Sequence, residues 1–448
     1  MKFIVIGGDA AGMSAASRAT RNQPDLEVTV LEMTMDVSYS ACGLPYNLAA
    51  PDRDIEDLVV RHAQVFRDKQ GINLLTGHCV EVTDPDKQTV AGSTVDGKDF
   101  EFGYDRLLIA TGSTAVKPEI PGVDLPGVFV LKDLSDGRKI KEFLKATTVK
   151  KAVIIGMGYI ALEMCESLVR LNIDVDMVKP NPVFLPWLEP TMAAVVKDGL
   201  ESKGVGVYAG HRVERIETIS GGLQVVSSDL TLQGDMVIVG IGVSPSSQVA
   251  ESAGLEMSVA KSIAVNRGLR TSDKNIYAAG DCADAYHVVT DDKTWIPLAL
   301  RANRSGWAAA DNVIGKNVTL DGVAGTSVFR VFDFEVARTG LNLAEAQSAG
   351  FDAVENTIQS SSRAHSYSSS SPHPIWVNLI GDKKSGRLLG AQMIGKEGAA
   401  HRINAPAVAL HNRMTVAAYS QTDLAYAPPF GPTWDPTLTA ANQLLNKL

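Results

Sequence analysis

The chain has 448 residues, enough for about three domains at roughly 150 residues each. Lysine and arginine number 42 against 51 aspartates and glutamates, a formal charge of −9, and 45% of residues are apolar. This composition suits packed cores, excludes wholesale disorder, and argues against nucleic acid as a partner, which needs clustered cations. No apolar run reaches the ~18 residues of a membrane span, and Met1-Lys2-Phe3 leads straight into a glycine turn, so neither a membrane segment nor a signal peptide is expected. The four cysteines, Cys42, Cys79, Cys165 and Cys282, contain no CxxC pair, which points to a reducing cytoplasm and to reactivity for any special one.

Phe3 to Ile6 is a short apolar run that predicts a strand buried on both faces. The turn Gly7-Gly8-Asp9-Ala10-Ala11-Gly12 follows, then a helix over 13–21 and a second strand over 26–31 that ends at Glu32. A glycine turn between strand and helix lets the backbone approach a pyrophosphate, and an acid closing the next strand accepts from a ribose. Gly7 and Gly12 hold the first and third glycine positions, Asp9 holds the middle one, and Glu32 stands 25 residues after Gly7. Cys42 comes soon afterwards, beside Gly43 and Pro45, close to where a cofactor would sit. A helix N-terminus near it would lower the thiol pKa. The strand 106–110 leads into Thr111-Gly112.

The same grammar returns near residue 150, with a strand over 152–155, the turn Gly156-Met157-Gly158-Tyr159-Ile160-Ala161, a helix over 162–171 and a strand over 175–178. Lys179, 23 residues after Gly156, replaces the ribose-binding acid; a cation there favours the 2′-phosphate of NADPH. A strand over 236–240 marks the chain's return, and a strand near 275–279 ends in Gly280-Asp281, whose carboxylate can reach a cofactor hydroxyl. Beyond about residue 322 the pattern becomes α+β, with strands over 327–331 and 376–380, a helix over 343–349 and a serine-rich loop over 360–371. Eight histidines show no HExxH or comparable spacing, so no metal is expected.

Ser38-Tyr39-Ser40-Ala41-Cys42-Gly43-Leu44-Pro45-Tyr46, Gly280-Asp281, the two glycine turns and Leu424-Ala425-Tyr426-Ala427-Pro428-Pro429-Phe430 resemble the pyridine nucleotide–disulfide oxidoreductases. More narrowly, they are similar to the single-cysteine branch: coenzyme A disulfide reductases, persulfide reductases, NADH oxidases and NADH peroxidases. The resemblance covers essentially the whole chain. It implies an α/β protein with two Rossmann-like dinucleotide-binding domains and a C-terminal α+β dimerisation domain. The FAD-binding domain would be discontinuous (1–113 and 245–322), the NAD(P)-binding domain would span 114–244, and the dimerisation domain 323–448.

The resemblance also implies FAD at Gly7, Ala10, Ala11, Gly12, Glu32 and Ser38, with Asp281 after Gly280 on the ribityl chain and Thr111, Gly112, Pro297 and Leu298 lining the flavin. NADPH or NADH would occupy Gly156, Gly158 and Lys179, with Tyr159 shielding the flavin and Glu163 near the nicotinamide. Cys42 would face the flavin, and in a homodimer the partner chain's tyrosines would reach it. Tyr426 matches one of these tyrosines; Tyr367 matches the other, in serine-rich surroundings that depart from the family pattern. Arg18 and Arg21, three apart on the first helix, and Arg61 match a basic patch that meets coenzyme A phosphates.

Two-cysteine relatives carry a second cysteine five residues after the first; here Asn47 stands there, so Cys42 must cycle through a mixed disulfide, a persulfide or a sulfenic acid. The peroxidases and oxidases carry a histidine in the first turn, where this chain has Asp9-Ala10-Ala11, which favours thiol exchange. The expected activity is NAD(P)H-driven, FAD-dependent reduction of a small-molecule disulfide or persulfide, coenzyme A disulfide or coenzyme A persulfide first. The alternatives are a water-forming NAD(P)H oxidase using a Cys42 sulfenate, an electron-transfer reductase for a redox protein, and a flavin-binding sensor. Coenzyme A could also sit on Cys42 as a bound thiol. No rhodanese-like extension is expected after residue 448.

Overall fold

In the computed structural model, which describes residues 1–367 and 371–448, three five-stranded sheets organise the chain. It opens with β1 (Lys2–Ile6), α1 (Ala10–Asn22), β2 (Glu27–Glu32), a short α2 (Leu44–Leu48), β3 (Asn73–Thr76) and β4 (Arg106–Ile109). A second unit follows: β5 (Val128–Phe129), α3 (Leu134–Ala146), β6 (Lys151–Ile155), α4 (Tyr159–Arg170), β7 (Asp174–Lys179), α5 (Pro190–Glu201), β8 (Gly206–Ala209) and β9 (Met236–Val239). The chain returns to the first unit with β10 (Ile276–Ala278) and α6 (Ala299–Val313). It ends with β11 (Ser327–Val331), β12 (Phe334–Gly340), β13 (Ala353–Ser361), β14 (Pro374–Asp382), β15 (Leu388–Gly395) and α7 (Pro436–Leu445).

The first sheet is parallel, in the order β10-β4-β1-β2-β3, and the second is parallel, in the order β8-β7-β6-β9-β5. The continuous apolar runs explain this choice. Phe3, Val5, Leu107, Leu108 and Ile109 are all fully buried, as are Ala152, Val153 and Ile154, which requires cover on both sheet faces. In the first sheet β1 lies between β2 and β4, and in the second β6 lies between β7 and β9, so the crossovers diverge and open a crevice at the carboxyl end of β1 and of β6. The third sheet is antiparallel, in the order β11-β12-β15-β14-β13.

Both nucleotide-type helices begin three residues earlier than the sequence pattern indicates, at Ala10 and Tyr159. The sharp turn is complete at Gly7 and Gly156, and Ala10-Ala11-Gly12 and Tyr159-Ile160-Ala161 are already helical. The serine-rich stretch is not wholly a loop: β13 runs to Ser361 and a single 3₁₀ turn spans His365–Tyr367, while 368–370 lie outside the described residues.

Close backbone contact holds the first unit together. A Cβ on Gly12 would stand 1.9 Å from the Gly7 carbonyl oxygen, and one on Gly306 would stand 2.2 Å from that of Ala11. Helix α6 therefore lies directly on the start of α1, where Ser14 also donates to Asn303 at 2.6 Å. Helix α4 is the common contact of all three modules. Its Ser167 hydroxyl donates to the Pro45 carbonyl at 2.7 Å, and its buried Glu166 accepts the Phe332 N–H at 2.8 Å from the β11–β12 hairpin. Replacing Gly306 by alanine puts a methyl against a main-chain oxygen that cannot step aside, so the two helices must part. The expected cost is about 1–3 kcal/mol in urea unfolding monitored by circular dichroism; an unchanged midpoint would show that α6 yields freely.

Candidate active site

The crevice begins at the two glycine turns. Gly7 has φ +109° and a Cβ there would meet the Ala110 carbonyl oxygen at 2.3 Å; Gly156 has φ +119° and its Cβ would meet that of Gly240 at 2.2 Å. Only glycine fits such a position. Among the described helices of ten or more residues, α3, α5 and α7 are capped by Asp133, Glu189 and Asp435, whereas α1, α4 and α6 have no side-chain cap. Uncapped first turns at the carboxyl ends of β1 and β6 leave N–H donors and a positive dipole end available to an anion. The cradle therefore fits a dinucleotide pyrophosphate at each turn.

Glu32, buried at the end of β2, accepts from the Gly8 N–H at 2.6 Å and from the Thr34 N–H and hydroxyl at 2.8 and 2.7 Å. Its carboxylate is thus oriented before any ribose arrives. Gly280 and Asp281 close on the same place. A Cβ on Gly280 would stand 2.9 Å from that of Ala11, and the Asp281 carboxylate accepts from the Ser113 hydroxyl at 3.0 Å. Thr111 donates to the Ser246 carbonyl, and Gly112 adopts φ +71°. Leu298 is the N-cap of α6, with Pro297 beside it, both half-buried. Two residues that sequence reasoning missed hold this corner. The Trp295 indole donates to the Asp281 carbonyl at 2.7 Å, and buried Arg301 donates to the carbonyls of Ala283 and Asp284 at 2.6 and 2.7 Å. An arginine amid alanines at a helix start was the available signal for the second.

Cys42 lies in a 3₁₀ turn, Ala41–Gly43, that runs directly into α2, and it is exposed. Among the four free cysteines it is the accessible one: Cys165 and Cys282 are fully buried and Cys79 is partly buried. Asn47, at the position of a second cysteine, is also fully buried, its amide donating to the Asp54 carbonyl at 2.8 Å. The expected lowering of the thiol pKa by a helix start is outweighed. Desolvation by the surrounding chain pushes the thiol up, the Glu163 carboxylate adds to this, Lys132 opposes it, and Asp281 and Asp9 reinforce it. Glu163 itself is pushed up by burial and accepts the Tyr46 hydroxyl at 2.7 Å.

Tyr159 opens α4 and rests in an aromatic cluster, edge-on to Trp187 at 5.8 Å and tilted on Phe329 at 5.4 Å, neither of which the sequence pattern flagged. Gly158 is the N-cap beside it. Lys179 ends β7 as expected, and its ammonium donates to the Val183 carbonyl at 2.7 Å, with burial lowering its pKa. The basic patch needs correction. Arg18 is paired with Asp311 at 2.6 Å and lies over the Trp307 ring, so its charge is committed within the chain. Arg21 and Arg61 remain exposed, Arg61 with its guanidinium over Phe66. In the C-terminal module, Tyr367 and Tyr426 are each about half exposed, and the Ala364 N–H donates to the Pro428 carbonyl at 3.2 Å, which brings their two segments together. Phe430 and Trp434, 78% and 62% exposed, extend the same aromatic run.

Residues 1–306 match the family model described as pyridine nucleotide-disulphide oxidoreductase, and residues 326–436 match the dimerisation domain of that family. The chain is 35% identical over 455 residues to the NAD(P)H sulfur oxidoreductase (CoA-dependent) of Pyrococcus furiosus, covering 99% of each. It is 28% identical over 431 residues to the coenzyme A disulfide reductase of Staphylococcus haemolyticus, covering 96% of each. A solved NAD-dependent persulfide reductase from A. fulgidus superposes with a TM-score of 0.95 at 36% identity, over 100% of this chain and 83% of that one. With its two glycine turns, uncapped helix starts and single accessible thiol, this chain belongs to the pyridine nucleotide–disulfide oxidoreductases, enzymes that use FAD and NAD(P)H.

Proposed function

We propose that the protein is a homodimeric NAD(P)H-dependent flavoprotein that reduces coenzyme A disulfide or a coenzyme A persulfide through Cys42. One observation carries this reading: a single solvent-accessible cysteine stands in the crevice beside Asp281, Glu163 and the first glycine turn, with no second cysteine beside it in the 42–47 turn. Such a sulfur cannot close an internal disulfide there, so it must bond to a substrate sulfur. FAD, when bound at Gly7, Gly12, Glu32 and Asp281, supplies the two-electron route from the nicotinamide to that sulfur.

The steps at this chain's residues balance without further reagents. The Cys42 thiolate attacks one sulfur of R–S–S–R′, a new S–S bond forms to Cys42, and R′–S⁻ leaves. Two electrons from NAD(P)H then cleave the mixed disulfide, returning the Cys42 thiolate and R–S⁻; one proton from solvent and one from the reduced nicotinamide complete two thiols. With a persulfide the leaving group is hydrosulfide or the coenzyme A thiolate, according to which sulfur is attacked. Burial raises the Glu163 pKa and Tyr46 donates to its carboxylate, which supports a role in proton exchange at the nicotinamide side of Cys42. Exposed Tyr426 and Tyr367 support a role at the partner subunit's Cys42, where a phenol stabilises a departing thiolate. Exposed Arg21 and Arg61 support an electrostatic landing for coenzyme A phosphates. The free cysteines, and the absence of a membrane-crossing helix among the described residues, support the reading of a cytoplasmic enzyme.

The first turn offers Ala10 and Ala11 to the crevice rather than an imidazole, which favours thiol exchange over oxygen chemistry. Cys42→Ser should keep its flavin absorbance and reduction by NAD(P)H while losing roughly 10³-fold or more of its coenzyme A disulfide and persulfide turnover. Undiminished turnover would overturn the mechanism. Lys179→Ala tests the nucleotide preference: loss of one charge-assisted phosphate contact should cut kcat/KM for NADPH by about tenfold and leave NADH within about twofold. Equal loss with both donors would assign Lys179 a structural role through Val183.

A further inference from the structure

A dinucleotide turn ordinarily has no side chain at its middle glycine, so that the backbone can lie close to the pyrophosphate. Here Asp9 occupies that position. It is the N-cap residue of α1, yet its side chain makes no cap. Instead its Oδ1 accepts the main-chain N–H of Tyr39 at 3.2 Å. Ser38, the preceding residue, is held in the left-handed region at φ +49°, and its N–H donates to the Gly8 carbonyl at 3.0 Å. Two consecutive residues of the segment leading to Cys42 are therefore stitched to the first turn, one through Gly8 and one through Asp9. From the β5–α3 connection, Lys132 acts electrostatically on both Asp9 and Cys42, its own N–H anchored on Asp136 at 3.0 Å.

We infer that Asp9 is a positioning residue for Cys42: it pins the thiol-bearing segment to the start of α1 through Tyr39, and it competes with the thiolate for the charge of Lys132. The inference rests on the reading of Cys42 as the reacting sulfur. The groups facing Asp9 are Glu32, the Tyr39 phenol, Lys132 and Cys42; those facing Cys42 are Glu163, Lys132, Asp281 and Asp9. Burial pushes the Asp9 carboxyl up to about 6, against the N–H groups of Tyr39 and Ala10 and the pull of Lys132. Above that pH the carboxylate repels a neighbouring thiolate, and below it the repulsion vanishes. A glycine or alanine would satisfy the turn without either effect.

Alkylation of the reduced, FAD-loaded enzyme by iodoacetamide, followed against pH, tests this directly. Asp9→Asn keeps an oxygen for the Tyr39 N–H and removes the charge; Asp9→Ala removes both; Lys132→Met removes the opposing cation. The expected profile of Asp9→Asn lies at lower pH than the parent, with reactivity at pH 7 raised about threefold or more, and that of Lys132→Met lies at higher pH. Per bound flavin, Asp9→Asn should turn over coenzyme A disulfide at least about fivefold faster than Asp9→Ala, because only asparagine keeps the tie. An Asp9→Asn profile superimposed on the parent, or equal turnover by the two variants, would overturn the proposal. Failure of the Cys42→Ser test would discard the catalytic reading while leaving these alkylation profiles to stand or fall by themselves.

Discussion

The sulfur that reacts belongs to one module and is held by another. Cys42 is covalently part of the first α/β unit, but α2, which follows its turn, is bound to α4 of the second through the Ser167 hydroxyl on the Pro45 carbonyl and the Tyr46 hydroxyl on Glu163. Leu44 and Leu48 complete the joint, packing into the same core as Leu162 and Met164. Burying those side chains is a non-directional gain, whereas the two hydrogen bonds fix register. If this joint loosened, the thiol would lose its relation to the nicotinamide helix even with both glycine turns intact. That makes the α2–α4 contact the condition on which the remaining geometry depends.

The same helix also reads the third module. Buried Glu166 accepts the Phe332 N–H and pairs with Arg170 and Arg330, and Tyr159 at its start lies against Phe329. A displacement of Tyr159 is therefore felt by the β11–β12 hairpin, and a displacement of that hairpin is felt by the residue next to the second glycine turn. Tyr159, beside the second glycine turn, thus touches β11 directly, and Glu166 ties the hairpin about two turns further along α4.

The parts of this architecture that follow from local chemistry were legible in the sequence. Continuous apolar strands, glycines whose Cβ has no room, and Cys42 beside Gly43 and Pro45 each carry their reason in adjacent residues. What escaped was set by distant partners. Trp295 and Arg301 hold the Asp281 corner through carbonyls 14 to 18 residues away, beyond the reach of a local motif, and Arg18 looked free until Asp311 of α6 came beside it. The thiol is the clearest case. A helix start beside Cys42 implied a depressed pKa, but burial by the folded chain, with Glu163, Asp281 and Asp9 from three other segments, reverses the sign. Charges brought together by tertiary structure do not show in a nine-residue motif.

That reversal bears on what the site admits. Burial first, and then three carboxylates against one lysine, disfavour the thiolate of this sulfur. The thiolate that does form is the more nucleophilic for its raised pKa, because intrinsic reactivity rises with basicity while the ionised fraction falls. A substrate that brings its own cationic contacts into play has an advantage over a small neutral oxidant. Under the proposed function, coenzyme A phosphates held at exposed Arg21 and Arg61 would keep a disulfide near the sulfur long enough to meet its thiolate form. Peroxide or oxygen has no such handle. On the proposed function, the carboxylates around Cys42, with Ala10 and Ala11 where an imidazole would sit, would bias one sulfur toward exchange with a tethered disulfide.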